Sequence, residues 1–299
     1  MYYLIYGFLY LFSLLPLRLL YCISDFLFFI VYYVVQYRKE IVLDNLEIAF
    51  PEKSITEKKI ISKQFYKNFV DTFVETIKMI SISDKAFHKM VEMDLSKVIA
   101  LANEGKSIQF HAGHQFNWEL ANWMIAEKMP IPFVGVYMRI SNRHFDKIFY
   151  DLRAKKGTVL VEVKEFRSKM HQFLNTQYSI GLAADQNPAD SRKGFWLNFF
   201  NKPVPFVTGP DKAAIKNKTA VVFVRLIKIK RGKYKFETEI ITEQASDFKE
   251  GELTCLYRDM LEDTIRKYPS NYLWSHRRWK RPFTEEFHEQ WIDRNEINK

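Results

Sequence analysis

Hydrophobic positions along this chain fall into three regimes. From residue 1 to 35 they are nearly continuous, broken by Gly7, Pro16, Arg18 and Asp25. Between 54 and 77 they recur at helical spacing, at Ile60, Ile61, Phe65, Phe69, Val70, Phe73, Val74 and Ile77. Ser54 or Thr56 stands ahead of that stretch as a cap, with Glu57 in an acidic first turn. From 107 onward, short apolar runs alternate with helical patterns. The runs predict strands over 107–110, 132–137, 158–163, 179–184 and 220–226; the patterns between them predict helices over 118–127, 142–155, 164–174 and 210–216. Alternation over 233–241 predicts an edge strand folded back on 221–229 through Arg231-Gly232, followed by a helix over 252–268. Residues 45–52 predict a turn that Pro51 ends. Strands alternating with helices imply an α/β fold, with a mostly parallel central sheet flanked by helices.

The apolar start divides the chain into an N-terminal membrane anchor, 1–37, and a catalytic domain, 38–299. A signal peptide would carry a basic start and a small-residue cleavage site, and this segment shows neither, so it reads as retained. A spanning helix takes about 20 apolar residues. Residues 4–17 fall short, and 19–35 are interrupted by Ser24 and Asp25. One tilted anchor helix and an embedded helical hairpin both fit. Tyrosines at 2, 3, 6, 10, 21, 32 and 33 suit an interface, and Arg38 with Lys39 predicts a cytoplasmic position for the catalytic domain.

Composition narrows the partners without choosing one. The formal charge of +10 points to an anionic partner: nucleic acid, an acidic membrane surface, an acidic protein or a phosphorylated substrate. The two cysteines, Cys22 and Cys255, form no disulfide framework, and Cys255 reads as a packing thiol. With Gly 10 in the whole chain and no glycine-rich loop, a nucleotide cradle is not expected.

The candidate chemistry lies where the strand ending at Phe110 meets the helix beginning near Asn117. Imidazole takes and returns a proton near neutral pH, and a nearby carboxylate can hold it in one orientation. His114 and Glu119 are therefore the expected catalytic pair. Asn117 and Trp118 beside them would build a partly buried pocket, which makes Asn117 a substrate-binding candidate. A metal site at His111 and His114 is not expected, because extended backbone points residues three apart to opposite sides. Asp185 and Gln186 follow a strand, where open α/β sheets bind ligands. Arg139, Arg143 and Arg153 are candidates for an anionic head group. The stretch 272–282, Tyr-Leu-Trp-Ser-His-Arg-Arg-Trp-Lys-Arg-Pro, is expected to seat against anionic lipid headgroups rather than nucleic acid.

Four blocks in order carry a resemblance: Asn45-Leu-Glu-Ile-Ala-Phe-Pro-Glu52; Gly113-His-Gln-Phe-Asn-Trp-Glu119; Asp185-Gln-Asn-Pro with Phe199-Phe-Asn-Lys-Pro203; and the stretch from Tyr272 to Pro282. Together they resemble the late acyltransferases of lipid A biosynthesis, the lauroyl and myristoyl transferases, over nearly the whole chain. The resemblance implies an inner-membrane enzyme of the glycerolipid (lysophospholipid) acyltransferase superfamily, facing the cytoplasm. Such an enzyme moves an acyl chain from acyl carrier protein, or acyl-CoA, to a hydroxyl of a lipid A precursor, without cofactor or metal. It also implies His114 and Glu119 as the His-x4-Glu pair, Asn142 and Arg153 as the positions after the second strand, and Asp185 with Gln186 as the Asp-Gln pair. Phe116 and Asn201 stand where glycine is common in the family, and Val204 where alanine is frequent. Other readings are an acyltransferase for a lysophospholipid, an aminolipid or another glycolipid, a hydrolase using the same pair on water, and a basic membrane-bound nucleic-acid or scaffold protein.

Overall fold

The computed structural model describes residues 1–293 except Leu174; the last residue of the expected helix over 164–174, and residues 294–299, lie outside the described residues. The apolar start folds as two helices, α1 (Tyr2–Leu14) and α2 (Leu17–Phe29), the second continued by a π-helical turn Ile30–Val34. Leu15 is extended (ψ 143°), as a residue before proline prefers, so the break falls at Pro16. Leu17–Val34 is long and apolar enough to cross a membrane, a candidate anchor by length and composition.

Residues 39–49 form a helix, α3 (Lys39–Ala49), rather than the expected turn; Phe50 ends it, directly before Pro51. The periodic stretch is α4 (Ile55–Lys78), closed at its start by a reciprocal capping box between Ser54 and Glu57. Two short helices, α5 (Asp84–Met90) and α6 (Ser96–Asn103), flank a three-residue strand, β1 (Val91–Met93). The alternating part comes next: β2 (Ile108–Ala112), α7 (Trp118–Lys128), β3 (Phe133–Tyr137), α8 (Arg143–Ala154), β4 (Val159–Glu162), α9 (Phe166–Met170) and β5 (Ser179–Ala183). The expected helix over 164–174 is α9 alone, flanked by 3-10 turns. A separate antiparallel hairpin, β6 (Gly194–Phe199) with β7 (Lys202–Val207), precedes α10 (Gly209–Asn217), β8 (Ala220–Lys230), β9 (Lys233–Thr242) and α11 (Glu252–Lys267).

Among the described residues, seven strands form one sheet in the order β1-β9-β8-β2-β5-β3-β4. All neighbours are parallel except β8 and β9. β9 is therefore not the expected edge strand, because β1 covers it; three residues are too few to show a period. On β8, successive side chains serve opposite faces. Val222 and Val224 join Leu101, Leu120, Trp123 and Met124 of α6 and α7. Phe223 joins Leu46, Phe65, Tyr257, Leu261 and Ile265 of α3, α4 and α11.

The two N-terminal helices dock on this body unequally. The inward face of α2 is mixed: Leu20 and Phe28 are buried, Tyr21 OH donates to Glu75 Oε1 (2.9 Å), and Ser24 Oγ to Asp71 Oδ1 (2.7 Å). Its outward face shows Phe26, Leu27 and Phe29. Tyr2 of α1 reaches Asp151 of α8 (3.1 Å), and exposed Phe145 and Tyr150 lie on that same helix.

Candidate active site

β2 and β5 run parallel, with Ala112 opposite Ala183. Two residues beyond that pair, at the carboxyl ends of both strands, stand His114 and Asp185. The Asp185 carboxylate takes the ring Nδ1 of His114 at 2.6 Å on one oxygen and its backbone N–H at 3.1 Å on the other. Both orientation and tautomer of the imidazole are thereby set: Nδ1 carries the shared proton, and Nε2 has no hydrogen-bond partner among the described residues. The ring is about a quarter exposed, whereas Asp185 is 1% exposed.

Charge follows geometry. Burial pulls the His114 pKa down, but attraction to the Asp185 carboxylate and its hydrogen bond outweigh burial, so the pKa is raised. For Asp185, burial pushes up and the His114 charge and hydrogen bonds pull further down, leaving it lowered. Behind the carboxylate lie two buried tyrosines. Tyr272 stands near Asp185, and its pKa is pushed well up by burial first and then by that charge. Tyr257 OH donates to Ala112 O (2.9 Å) and holds the end of β2.

Glu119 belongs to a second pair. Its carboxylate receives Arg153 on both oxygens, Nε at 3.0 and 3.1 Å and Nη2 at 2.5 Å, and also Trp118 Nε1 at 3.2 Å. No hydrogen bond or ion pair joins His114 to Glu119 among the described residues. The expected orienter of the imidazole is thus replaced by Asp185, because β-sheet register brings that carboxylate to Nδ1, while α7 turns Glu119 towards α8. Trp118 connects the two pairs, its ring standing edge-on to His114 with centroids 5.8 Å apart.

The remaining candidates have other places. Asn117 is fully buried: its Oδ1 caps α7 by accepting the Glu119 N–H (3.1 Å), and its amide reaches Glu75 (3.4 Å). Asn142 is exposed and caps α8, accepting from the N–H groups of His144 and Phe145. Gln186 is half-buried beside Asp185. Arg139 pairs with Glu162 on the surface (2.7 Å). His111 is buried against Tyr257, where burial lowers its pKa to about 4, and the Gln109 amide, turned to donate, lies 2.9 Å from its Nε2.

The loop holding His114 is braced by residues 271–273. Leu273 N–H donates to His114 O (3.0 Å), Phe116 N–H to Asn271 O (3.0 Å), and Asn271 Nδ2 back to Phe116 O (2.9 Å). A Cβ at Gly113 would run into Leu261 Cδ1, so any side chain there requires Leu261 to shift. Phe116 is a core side chain, its ring among Phe65, Phe69 and Trp118.

The stretch 272–282 is divided between surface and core: Arg277, Lys280 and Arg281 are exposed, while its aromatic and central residues turn inward. Trp274 is fully buried and Arg278 is 1% exposed, its guanidinium 4.3 Å over the Phe206 ring and its Nη1 2.6 Å from Asn187 Oδ1. Burial lowers the Arg278 pKa to about 10, with Tyr272 and Asp185 opposing. Asn187 Nδ2 donates in turn to Arg277 O (2.9 Å), and Asn45 Nδ2 to Trp274 O and His276 O (2.7 Å each). Phe50 meets both Phe200 and Trp274. Turn residues Phe200 and Asn201 both have positive φ (52° and 60°), as a two-residue hairpin of this twist requires, and Asn201 tolerates this better than most residues. All four ordered sequence blocks therefore converge around the His114–Asp185 pair.

Sequence reasoning named Asp185 as a ligand candidate but not as the imidazole's partner, took Tyr272 and Arg278 only as members of the stretch 272–282, and missed Tyr257. The available signal was strand register: 107–110 and 179–184 read as strands, but nothing local says that they are neighbours. A search of curated proteins returned no match. A family model described as bacterial lipid A biosynthesis acyltransferase matches residues 1–281 of 299. The chain belongs to that family and is an acyltransferase.

Proposed function

We propose that this chain transfers a fatty acyl group from a thioester donor, acyl carrier protein or acyl-CoA, to a hydroxyl of a lipid A precursor. We place the reaction at the cytoplasmic face of a bacterial inner membrane. One observation carries the reading: His114 has its Nδ1 pinned by a buried carboxylate and its Nε2 open. Nε2 takes the proton of the acceptor hydroxyl as the oxygen attacks the thioester carbonyl. The C–O bond forms, the C–S bond breaks, and the imidazolium returns the proton to the leaving thiolate, with no covalent enzyme intermediate. Asp185 stabilises the imidazolium, the part first expected of Glu119. Glu119 instead fixes Arg153, whose positive charge serves an anionic group of the substrate. Exposed Phe145 and Tyr150 on the Arg153 helix, beside α1, suit a lipid acceptor.

Purified full-length protein, a panel of acyl carriers and acceptors, and mass spectrometry test this reading. Product should form on a lipid A precursor and vanish in His114→Ala. A product only on a lysophospholipid, aminolipid or other glycolipid would reassign the acceptor. Fatty acid released without any acceptor, or unchanged turnover in His114→Ala, would overturn the transfer mechanism.

A further inference from the structure

A recess of about 490 Å³ lies away from the candidate active site, between α4, α2, the β8–β9 turn and the end of α11; none of His114, Glu119, Arg153 and Asp185 lines it. Five cations line it, Lys67, Lys228, Lys230, Arg231 and Lys267, against two carboxylates, Asp25 and Asp71. The carboxylates are committed. Asp71 holds Lys228 at 2.9 Å, and Arg231 bridges Asp71 and Asp25 at 2.9 and 2.6 Å. These contacts build the wall and cancel two of the cations. Lys67 and Lys230 have no carboxylate within ion-pair distance among the described residues, and Lys267 pairs with Asp263 only at the surface (2.8 Å). Two cations, Lys67 and Lys230, therefore remain without a carboxylate around one concavity, with Lys267 beside them in a solvent-exposed pair.

We propose that this recess binds the phosphate-bearing headgroup of an anionic phospholipid. Convergent ammonium groups in a concave setting select a phosphate ester over a neutral ligand. A volume in the range of small-molecule sites exceeds what a bare phosphate fills and suits a phosphoglycerol group. The position supplies the rest. Asp25 belongs to α2, whose outward face exposes Phe26, Leu27 and Phe29, and Ile229 at the rim is about half exposed. A headgroup in the recess would leave its acyl chains along that apolar face. A convex acidic protein would meet the rim cations Lys230 and Lys267 but not Lys67, which is half-buried on the wall. The inference rests on the membrane seat proposed above, but on nothing in the acyl-transfer chemistry.

The test uses the full-length protein in neutral detergent at physiological salt, with dihexanoyl phosphatidylglycerol, dihexanoyl phosphatidylcholine and inorganic phosphate as probes. Binding is read by native mass spectrometry. Phosphatidylglycerol should bind one to one, and Lys67→Ala/Lys230→Ala should weaken it roughly tenfold or more. Lys97→Ala/Lys216→Ala, which removes the same charge elsewhere, should bind as the parent does. Lys67→Gln/Lys230→Gln repeats the loss with more side chain kept, and a thermal melt of each variant separates lost binding from lost fold. Equal binding of phosphatidylcholine, equal weakening in the control variant, or inorganic phosphate competing as tightly as the lipid would each overturn the headgroup assignment. So would loss of acyl carrier protein binding in the recess variant with lipid binding intact. Failure of the acyl-transfer reading would show in His114→Ala turnover and leave this binding result untouched.

Discussion

His114 and Asp185 leave two neighbouring parallel strands at the same level, so the Asp185 carboxylate spans both the ring Nδ1 and the backbone N–H of His114. A carboxylate that fixes ring and backbone together sets tautomer and direction with one side chain. Asp185→Asn keeps the shape but permits the wrong tautomer. Transfer should fall by roughly 10³-fold or more, approaching His114→Ala, with KM little changed. Full activity in Asp185→Asn would remove Asp185 from the mechanism.

The same pair makes a pH prediction. A base must be neutral to act, and the His114 pKa is raised above 6.5. The acid limb of kcat/KM should therefore lie above 6.5, and Asp185→Asn should move it to lower pH, since burial remains and the upward pull is gone. For stability the signs oppose. The raised His114 contributes fully below 6.5 and loses its contribution as pH rises through its folded value. The lowered Asp185 contributes above 3.8 and loses its contribution as pH falls through its folded value. The pair should thus stabilise most between those limits, and the two titrations are shared. An acid limb that stays in place in Asp185→Asn would count against the coupling.

Glu119 and Arg153 have side chains 6% and 22% exposed, so removing either strands a largely desolvated charge. Glu119→Leu and Arg153→Leu should each cost about 2–4 kcal/mol, less than for a fully buried pair because Arg153 keeps some water. Glu119→Leu/Arg153→Leu should regain part of that stability without regaining transfer. Thermal denaturation in detergent measures the first, and an acyl-transfer assay the second. Strictly additive losses would mean that the pair is not coupled.

Gly113→Ala forces a methyl group against Leu261, which is fully buried. Overpacking of this kind costs about 1–3 kcal/mol, and here it also displaces the residue before His114. Stability and transfer should fall together, and Leu261→Ala added to Gly113→Ala should recover some transfer. A single variant with unchanged melting would show that the loop yields freely.

Much of the scaffold was legible because its signals are local. The runs giving β2, β3 and β5, the capping box of α4 and the strand-to-helix junction at His114 all lie within a few residues. What escaped depends on partners distant in the chain. β1 has three residues and is defined by β9 beside it. The β6–β7 hairpin turns on Phe200-Asn201, without the glycine that announces such turns. Glu119 was the nearest carboxylate by count, and Asp185 the nearest in space. Arg278 carries a charge that normally marks a surface, yet aromatic faces receive it inside.

The bracing of the His114 loop by residues 271–273 also sets when that loop can take its folded form. Asn271 and Phe116 are 155 residues apart. At translation rates of about 5–20 residues per second, roughly 8–30 s separate their synthesis. The apolar helices α1 and α2 are made first, and the piece that braces the His114 loop is among the last. On the proposed membrane seat and base, a nascent chain reaches a lipid surface before its site is braced, and a product truncated ahead of Asn271 is expected to be inert.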